Sequence, residues 1–343
     1  MLATIPSATI LGVDGLPVSV EVHVAGGMPA FSIVGLPDTN CREARDRVRA
    51  AFTSTGLAFP NRRVTVNLAP SGVRKVGPGF DLAIAVGLLV ASEQIPAASV
   101  EGLAFLGELG LDGTARRVPG VIAMIDALAT AGVVVPATSA AEARLVGRHE
   151  VRAVDSLGEL VAVLRGEAPW PDHRSAIDAP EPTRQPDLAD VRGQGSARQA
   201  LEIAAAGGHH LLLVGPPGAG KTMLARRLPG ILPPLPPREA LQVTRIHSAA
   251  GLPLPRGALI TAPPFRSPHH TSSDVSLIGG GAAWMRPGEI SCAHGGVLFL
   301  DELGEFPPHV LDVSASRWRT APCASPGPGR ASPTPPASCW WRP

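Results

Sequence analysis

Short apolar runs set against polar positions divide the chain into predicted elements. Val18-Ser19-Val20-Glu21-Val22-His23-Val24 puts every second residue on one face, the pattern of a half-exposed strand. Ala30 to Pro37 predicts another strand. Asp38-Thr39-Asn40 can cap a helix running through Arg42, Glu43, Arg45, Asp46, Arg47 and Arg49, whose charges predict a solvated face. Arg63 to Pro70 reads as a further strand, followed by a Gly- and Pro-rich loop from Ser71 to Phe80. That loop carries Arg74 and Lys75, a basic pair expected to be solvated, with nucleic-acid contact as the other reading. Asp81 is expected to cap a strongly apolar helix reaching about Ser92. Strand signals at Leu103 to Leu109 and Val133 to Pro136 flank a helix expected from about Gly120 to Ala131. These elements predict an α+β domain over residues 1–166.

Residues 167–186 are rich in Pro, Asp, Arg and Ala without periodicity and predict a linker. A second domain over residues 187–312 begins with Asp187 to Gln194 and a helix from Ser196 to Ala206. Leu211-Leu212-Leu213-Val214 then reads as a buried strand entering Gly215-Pro216-Pro217-Gly218-Ala219-Gly220-Lys221-Thr222, with a helix opening at Met223. This is a complete G-x-x-x-x-G-K-[ST] loop between strand and helix, the context a P-loop requires. Small residues let consecutive backbone N–H groups point inward around phosphates, Lys221 can reach the β- and γ-phosphates, and Thr222 can ligate Mg²⁺. The only lysines in the chain are Lys75 and Lys221.

Val297-Leu298-Phe299-Leu300-Asp301-Glu302, about 80 residues further on, is an apolar strand ending in two carboxylates. It reads as a Walker B strand to the Walker A loop. Asp301 is expected to hold Mg²⁺ through water, and Glu302 to orient or deprotonate the attacking water. Adjacent His209 and His210 precede the first strand, where neighbouring side chains face opposite ways, which argues against joint metal ligation. Between the two strands lies a polar, glycine-rich segment. Phe265 to Ser273 carries Arg266, His269 and His270, a candidate substrate loop by its length and polarity.

Composition constrains rather than redirects this reading. At 343 residues, two domains are expected, and a net charge of +1 excludes a globally basic nucleic-acid binder while leaving room for a local basic groove. Cys41, Cys292, Cys323 and Cys339 show no C-x-x-C or zinc spacing, and the start Met1 to Pro6 lacks a basic signal-peptide region. A reduced, cytoplasmic chain is expected. The longest apolar stretch, near Leu82 to Ala91, is about half the length that spans a bilayer.

Phe31 to Asp38, Val66-Asn67-Leu68-Ala69-Pro70, Gly77 to Leu82 and Gly107-Glu108-Leu109 resemble the N-terminal domain of the magnesium-chelatase-like AAA+ proteins of the YifB/ComM family. That domain is similar in fold to ribosomal protein S5 domain 2 and to the proteolytic domain of Lon. The Lon Ser and Lys positions correspond to Gly79 and Ile122, so the resemblance implies a protease fold without its dyad, used for interaction or assembly. The segment Phe265 to Ser273, with Leu277 to Gly281, Pro287 to Ile290 and Ala293 to Gly296, is the part most specific to the family. The fold class implied is α+β followed by a partial α/β AAA+ P-loop NTPase domain. The activity implied is Mg²⁺-dependent ATP hydrolysis coupled to DNA remodelling in recombination or transformation. Self-assembly into a ring, a hexamer in the family, is implied as well. A magnesium-chelatase ATPase subunit shares the module, and the N-terminal domain argues against it because that subunit is expected to begin at the AAA+ module.

After Leu311-Asp312 the resemblance implies a helix, a sensor strand, an arginine finger and a helical lid. Residues 313–343 are instead dense in Pro, Ser, Arg and Trp, a composition that predicts disorder. Trp has a single codon. Read two bases later, Cys339-Trp340-Trp341-Arg342 gives Leu-Val followed by Ala or Glu, and Arg317 to Thr320, with an AGR codon for Arg319, gives Leu, Val or Met, then Glu, then Asp or Asn. A frameshifted tail is the expectation. A chain with half of the hydrolytic machinery is then the third reading, a nucleotide-binding protein without turnover.

Overall fold

The computed structural model describes residues 1–173, 186–255, 257–280, 286–306, 308 and 311, together with the backbone of residues 339–342. It divides into two compact units, Met1–Pro180 with Gly251–Ala258, and Glu181–Ala250 with Leu259–Pro343.

In the first unit β1 (Leu2–Leu11) and β2 (Asp14–Ala25) form an antiparallel pair. β3 (Ala30–Val34) and β4 (Arg63–Ala69) complete a sheet of order β1-β2-β4-β3, with β3 parallel to β4. Alternation decides its faces. Val18, Val20, Val22 and Val24 of β2 and Val64, Val66 and Leu68 of β4 are buried together, while Glu21 and Asn67 meet on the other face through a 2.9 Å hydrogen bond. Two helices cover the buried face. In α1 (Thr39–Ser54) the Asp38 carboxylate caps the first turn by accepting the Cys41 N–H at 2.8 Å, and Cys41, Ala44, Val48, Ala51 and Phe52 form the inward stripe. α2 (Asp81–Ala91) is buried from Asp81 to Leu89. It lies close to the sheet because Gly87 has no side chain; a Cβ there would sit 2.5 Å from Cγ2 of Val22.

The chain then runs through β5 (Leu103–Phe105), β6 (Glu108–Leu109), β7 (Ala115–Arg116), α3 (Val121–Asp126), β8 (Gly132–Pro136), α4 (Ala140–Arg144), β9 (Glu150–Val154) and α5 (Leu157–Leu164). β5, β8 and β9 make a parallel sheet whose middle strand is buried throughout, as strands covered on both faces are. The buried Ser7 hydroxyl donates to the Phe105 carbonyl at 2.8 Å, tying β1 to this second sheet.

Four expectations for this unit need correction. The Arg47 side chain is not solvated: it makes a bidentate pair with Asp81, Nε to Oδ2 at 2.6 Å and Nη2 to Oδ1 at 3.0 Å. Asp81 consequently does not cap its own helix; its carboxylate also accepts the Leu109 N–H at 3.1 Å. Lys75 is fully buried, with Nζ donating to the Pro70 carbonyl, so it is neither a solvated base nor a nucleic-acid contact. Arg74 beside it is exposed. The helix expected to reach Ala131 ends at Asp126, because the next residues must turn to bring Gly132 into register with Leu103.

The second unit contains α6 (Gly195–Gly207), β10 (Leu211–Leu212), α7 (Lys221–Ala225), α8 (Pro237–Ala250), β11 (Phe265–Arg266), α9 (Asp274–Ile278), β12 (Gly279–Gly280), β13 (Arg286–Pro287), α10 (Glu289–Cys292), β14 (Val297–Phe299) and β15 (Cys339–Arg342). The parallel sheet has the order β10-β15-β14-β11. β14 is buried on both faces. Val297 and Phe299 join Leu201, Leu224, Ala225 and Leu228, while Leu298 and Leu300 join Leu277, Ile290, Ala293 and Phe306.

Residues 174–185 of the expected linker, and 313–338 and 343 of the expected tail, lie outside the described residues. Residues 339–342 depart from the expectation of a disordered tail. They pair in parallel with β10 and β14 through backbone groups that every residue carries, so composition and side-chain period do not reveal the strand. Among the described residues no helix is long and apolar enough to cross a membrane.

Candidate nucleotide-binding site

The site is built where β10 and β14 end. β10 runs into the exposed loop Gly215 to Thr222, whose turns depend on Gly218 at φ +79 and Gly220 at φ +82, a region that side chains disfavour. Gln194, itself at φ +57, braces the loop by donating Nε2 to the Ala219 carbonyl at 3.1 Å. Lys221 Nζ lies over the loop and donates to the carbonyls of Gly215 at 2.8 Å and Pro216 at 3.1 Å. Behind it, Leu224, Ala225 and Leu228 anchor the following turns in the core.

The end of β14 brings Asp301 to the first turn of α7. The Thr222 hydroxyl donates to Asp301 Oδ2 at 2.9 Å, and Asp301 Oδ1 accepts the Glu302 N–H at 3.1 Å. Glu302 has φ +53, an uncommon conformation for a residue with a side chain, and its carboxylate is exposed. One hydroxyl oxygen and one carboxylate thus converge beside a loop rich in N–H donors. These are hard oxygen ligands of the kind a small hexacoordinate cation takes while keeping water and adding phosphate oxygens, so the residues present fit Mg²⁺.

The segment after β11 stands beside this pair. Arg266 is held by Glu289 through two 2.6 Å hydrogen bonds, which with the opposite charge keep its guanidinium pKa above the ordinary value. The arginine thereby fixes the base of the loop to α10. His269 is exposed, and its Nδ1 shares a hydrogen bond with the Thr271 hydroxyl at 2.8 Å. Its ring lies 4.1 Å from that of His270.

Two family models match the chain. One, described as magnesium chelatase, subunit ChlI, covers residues 187–316, and another, described as subunit ChlI of Mg-chelatase, covers residues 20–139. A protein of Mycobacterium tuberculosis is 47% identical over 310 residues, 90% of this chain and 61% of its own length. YifB of Salmonella typhimurium is 46% identical over 318 residues, and the competence protein ComM of Haemophilus influenzae 42% over 319, each spanning 91% of this chain and 62% of its own length. The chain belongs to the YifB/ComM family. It spans about three-fifths of the length of the curated relatives it matches. The matches fall in both units. The N-terminal part does not separate this family from the chelatase subunit as expected, since a model named for that subunit covers residues 20–139.

The YifB/ComM reading of the sequence missed three residues at or beside the site. Gln194 sits in a segment without periodicity. Glu289 and His247 lie on helices whose partners are set by tertiary contact; His247 Nε2 donates to the Cys292 carbonyl at 2.8 Å, and burial lowers its pKa. Burial also pushes the adjacent Cys292 thiol up to about 11. Glu289 carried a signal, being in a segment matched to the family, and Gln194 closes the segment read as opening the second domain.

Proposed function

We propose that the chain binds Mg²⁺-ATP at Gly215 to Thr222 and hydrolyses it as an AAA+-type ATPase. The observation that carries this reading is the 2.9 Å hydrogen bond from Thr222 to Asp301, which joins the two motifs at one point. The backbone amides of Gly218 to Thr222 would take the β- and γ-phosphates, and the Lys221 ammonium would exchange its loop carbonyls for phosphate oxygens. Thr222 and Asp301 would hold Mg²⁺, which when bound supplies positive charge against the phosphates. Glu302 would accept a hydrogen bond from the attacking water and align it.

The work done with this energy is proposed to be DNA remodelling by a ring of subunits. The family resemblance supports it, together with a competence protein among the relatives. Arg266, His269 and His270 are then the candidate substrate segment, with His269 the exposed member. The test is Mg²⁺-ATPase activity of the purified chain with and without branched or single-stranded DNA. Stimulation by DNA that disappears on His269→Ala supports the reading, and turnover indifferent to any DNA contradicts it.

A second reading has its own observation. Cys339–Arg342, whose shifted-frame reading resembles a sensor-type strand, pairs between β10 and β14. This supports a tail translated out of frame and a chain that binds nucleotide without turnover. An intact reading frame in the coding DNA, with no family sequence in either alternative frame, contradicts it.

A further inference from the structure

The parallel register of β11 and β14 sets Arg266 opposite Leu298. Four residues beyond each, the chain brings His270 and Glu302 together, Nδ1 to Oε2 at 3.4 Å. We propose that His270 is a positioning residue for the Glu302 carboxylate, a role that rests on the hydrolytic reading above and extends it to the 265–280 segment.

The two side chains differ in how firmly they are held. The Glu302 backbone is fixed by its left-handed conformation and its N–H to Asp301, so the direction of its Cβ is set. Beyond Cβ the side chain is 67% exposed, and its carboxylate meets Nδ1 of His270. His270 is 27% exposed and braced on two sides, by the His269 ring at 4.1 Å and edge-on by the Phe306 ring at 6.4 Å. Phe306 is buried in the core behind β14, and the strand that leads to His270 is clamped by the Arg266 and Glu289 pair. A rigid imidazole therefore restrains a carboxylate that would otherwise sample several rotamers. A group that must align water loses rate when it is left to wander, without loss of nucleotide affinity.

The pair also opens onto space. His270, Glu302, Gly304 and Glu305 line an open cavity of about 510 Å³. A ligand that steadies the 265–280 segment would hold the imidazole against the carboxylate, so one contact connects the candidate substrate segment to the hydrolytic residue.

The test compares His270→Ala, His270→Asn and Glu302→Gln, singly and with Glu302→Gln combined with each, in the full chain. His270→Ala is expected to lower kcat about tenfold with KM for ATP within about twofold, and Asn, which keeps a donor near the Nδ1 position, to restore most of it. On the Glu302→Gln background, His270→Ala should have no further effect. A kcat within about twofold of the starting protein, or a full additional loss on that background, overturns the proposal. If the chain binds ATP through Lys221 but shows no turnover, the hydrolytic reading fails and the pair is read directly from the His270 ring-nitrogen resonances. Those resonances are expected to move on Glu302→Gln, and if they do not, the contact itself is refuted.

Discussion

Thr222 donates its hydroxyl to Asp301 across 79 residues of sequence, at 2.9 Å. Neither residue could be tied to the other by its own motif. A glycine-rich loop binds anions in many settings, and an apolar strand ending in two acids is common. Their meeting beyond the ends of β10 and β14 sets hydroxyl and carboxylate together beside the Gly215 to Thr222 loop.

Thr222→Ala and Asp301→Asn should each remove the Mg²⁺-dependent part of ATP affinity and leave binding without Mg²⁺ nearly unchanged. A loss of about tenfold or more is expected, the scale of one hydrogen bond to a charged group. Titration calorimetry with and without Mg²⁺ checks it.

The two lysines should react differently with an amine-selective reagent. Lys221 lies on an exposed loop, whereas Lys75 is fully buried and burial lowers its pKa. Mass spectrometry of the folded chain should find Lys221 labelled and Lys75 spared, with Mg²⁺-ATP protecting Lys221 and denaturant exposing Lys75.

Removing Arg47 should cost stability in a pH-dependent way. Arg47→Ala strands the fully buried Asp81 carboxylate, a loss of about 3 kcal/mol or more near pH 8. Burial raises the Asp81 pKa from 3.8 to about 6, against the lowering influence of Arg47. The native state therefore holds the proton more tightly than the unfolded chain, and the contribution of Asp81 to stability falls as pH rises from about 4 to about 6. Denaturant unfolding should show the Arg47→Ala penalty shrinking toward pH 5, where Asp81 takes up a proton. A penalty independent of pH would contradict the assignment.

Gly87→Ala sets helix propensity against packing. Alanine would gain about 0.5–1 kcal/mol in a helix interior, but its Cβ meets Cγ2 of Val22, and overpacking a core costs about 1–3 kcal/mol. Net destabilisation is expected, measured as a lower Tm. The double variant with Val22→Ala should recover part of it.

Much of the second unit's site could be read along the chain because its chemistry is local. Eight consecutive residues from Gly215 to Thr222 carry the loop, and Asp301 and Glu302 follow a run of four apolar residues. The period-two pattern of Val18 to Val24 likewise marked a strand and its buried face. What escaped depended on partners distant in sequence. The charges of α1 all read as solvated, and nothing local distinguishes Arg47, which meets Asp81 across 34 residues, from exposed Arg45. Lys75 was placed on the surface by its charge and its Gly- and Pro-rich surroundings, yet the loop folds back and buries it. The pairing of His270 with Glu302 needed the register of two strands, which apolar runs alone do not fix.

The central claim is that Gly215 to Thr222 binds Mg²⁺-ATP, and equilibrium binding of a fluorescent ATP analogue to the purified chain tests it most directly. Saturable, Mg²⁺-dependent binding that Lys221→Ala abolishes and Glu302→Gln retains is expected. Absence of binding by the folded chain, or binding that survives Lys221→Ala unchanged, would contradict it.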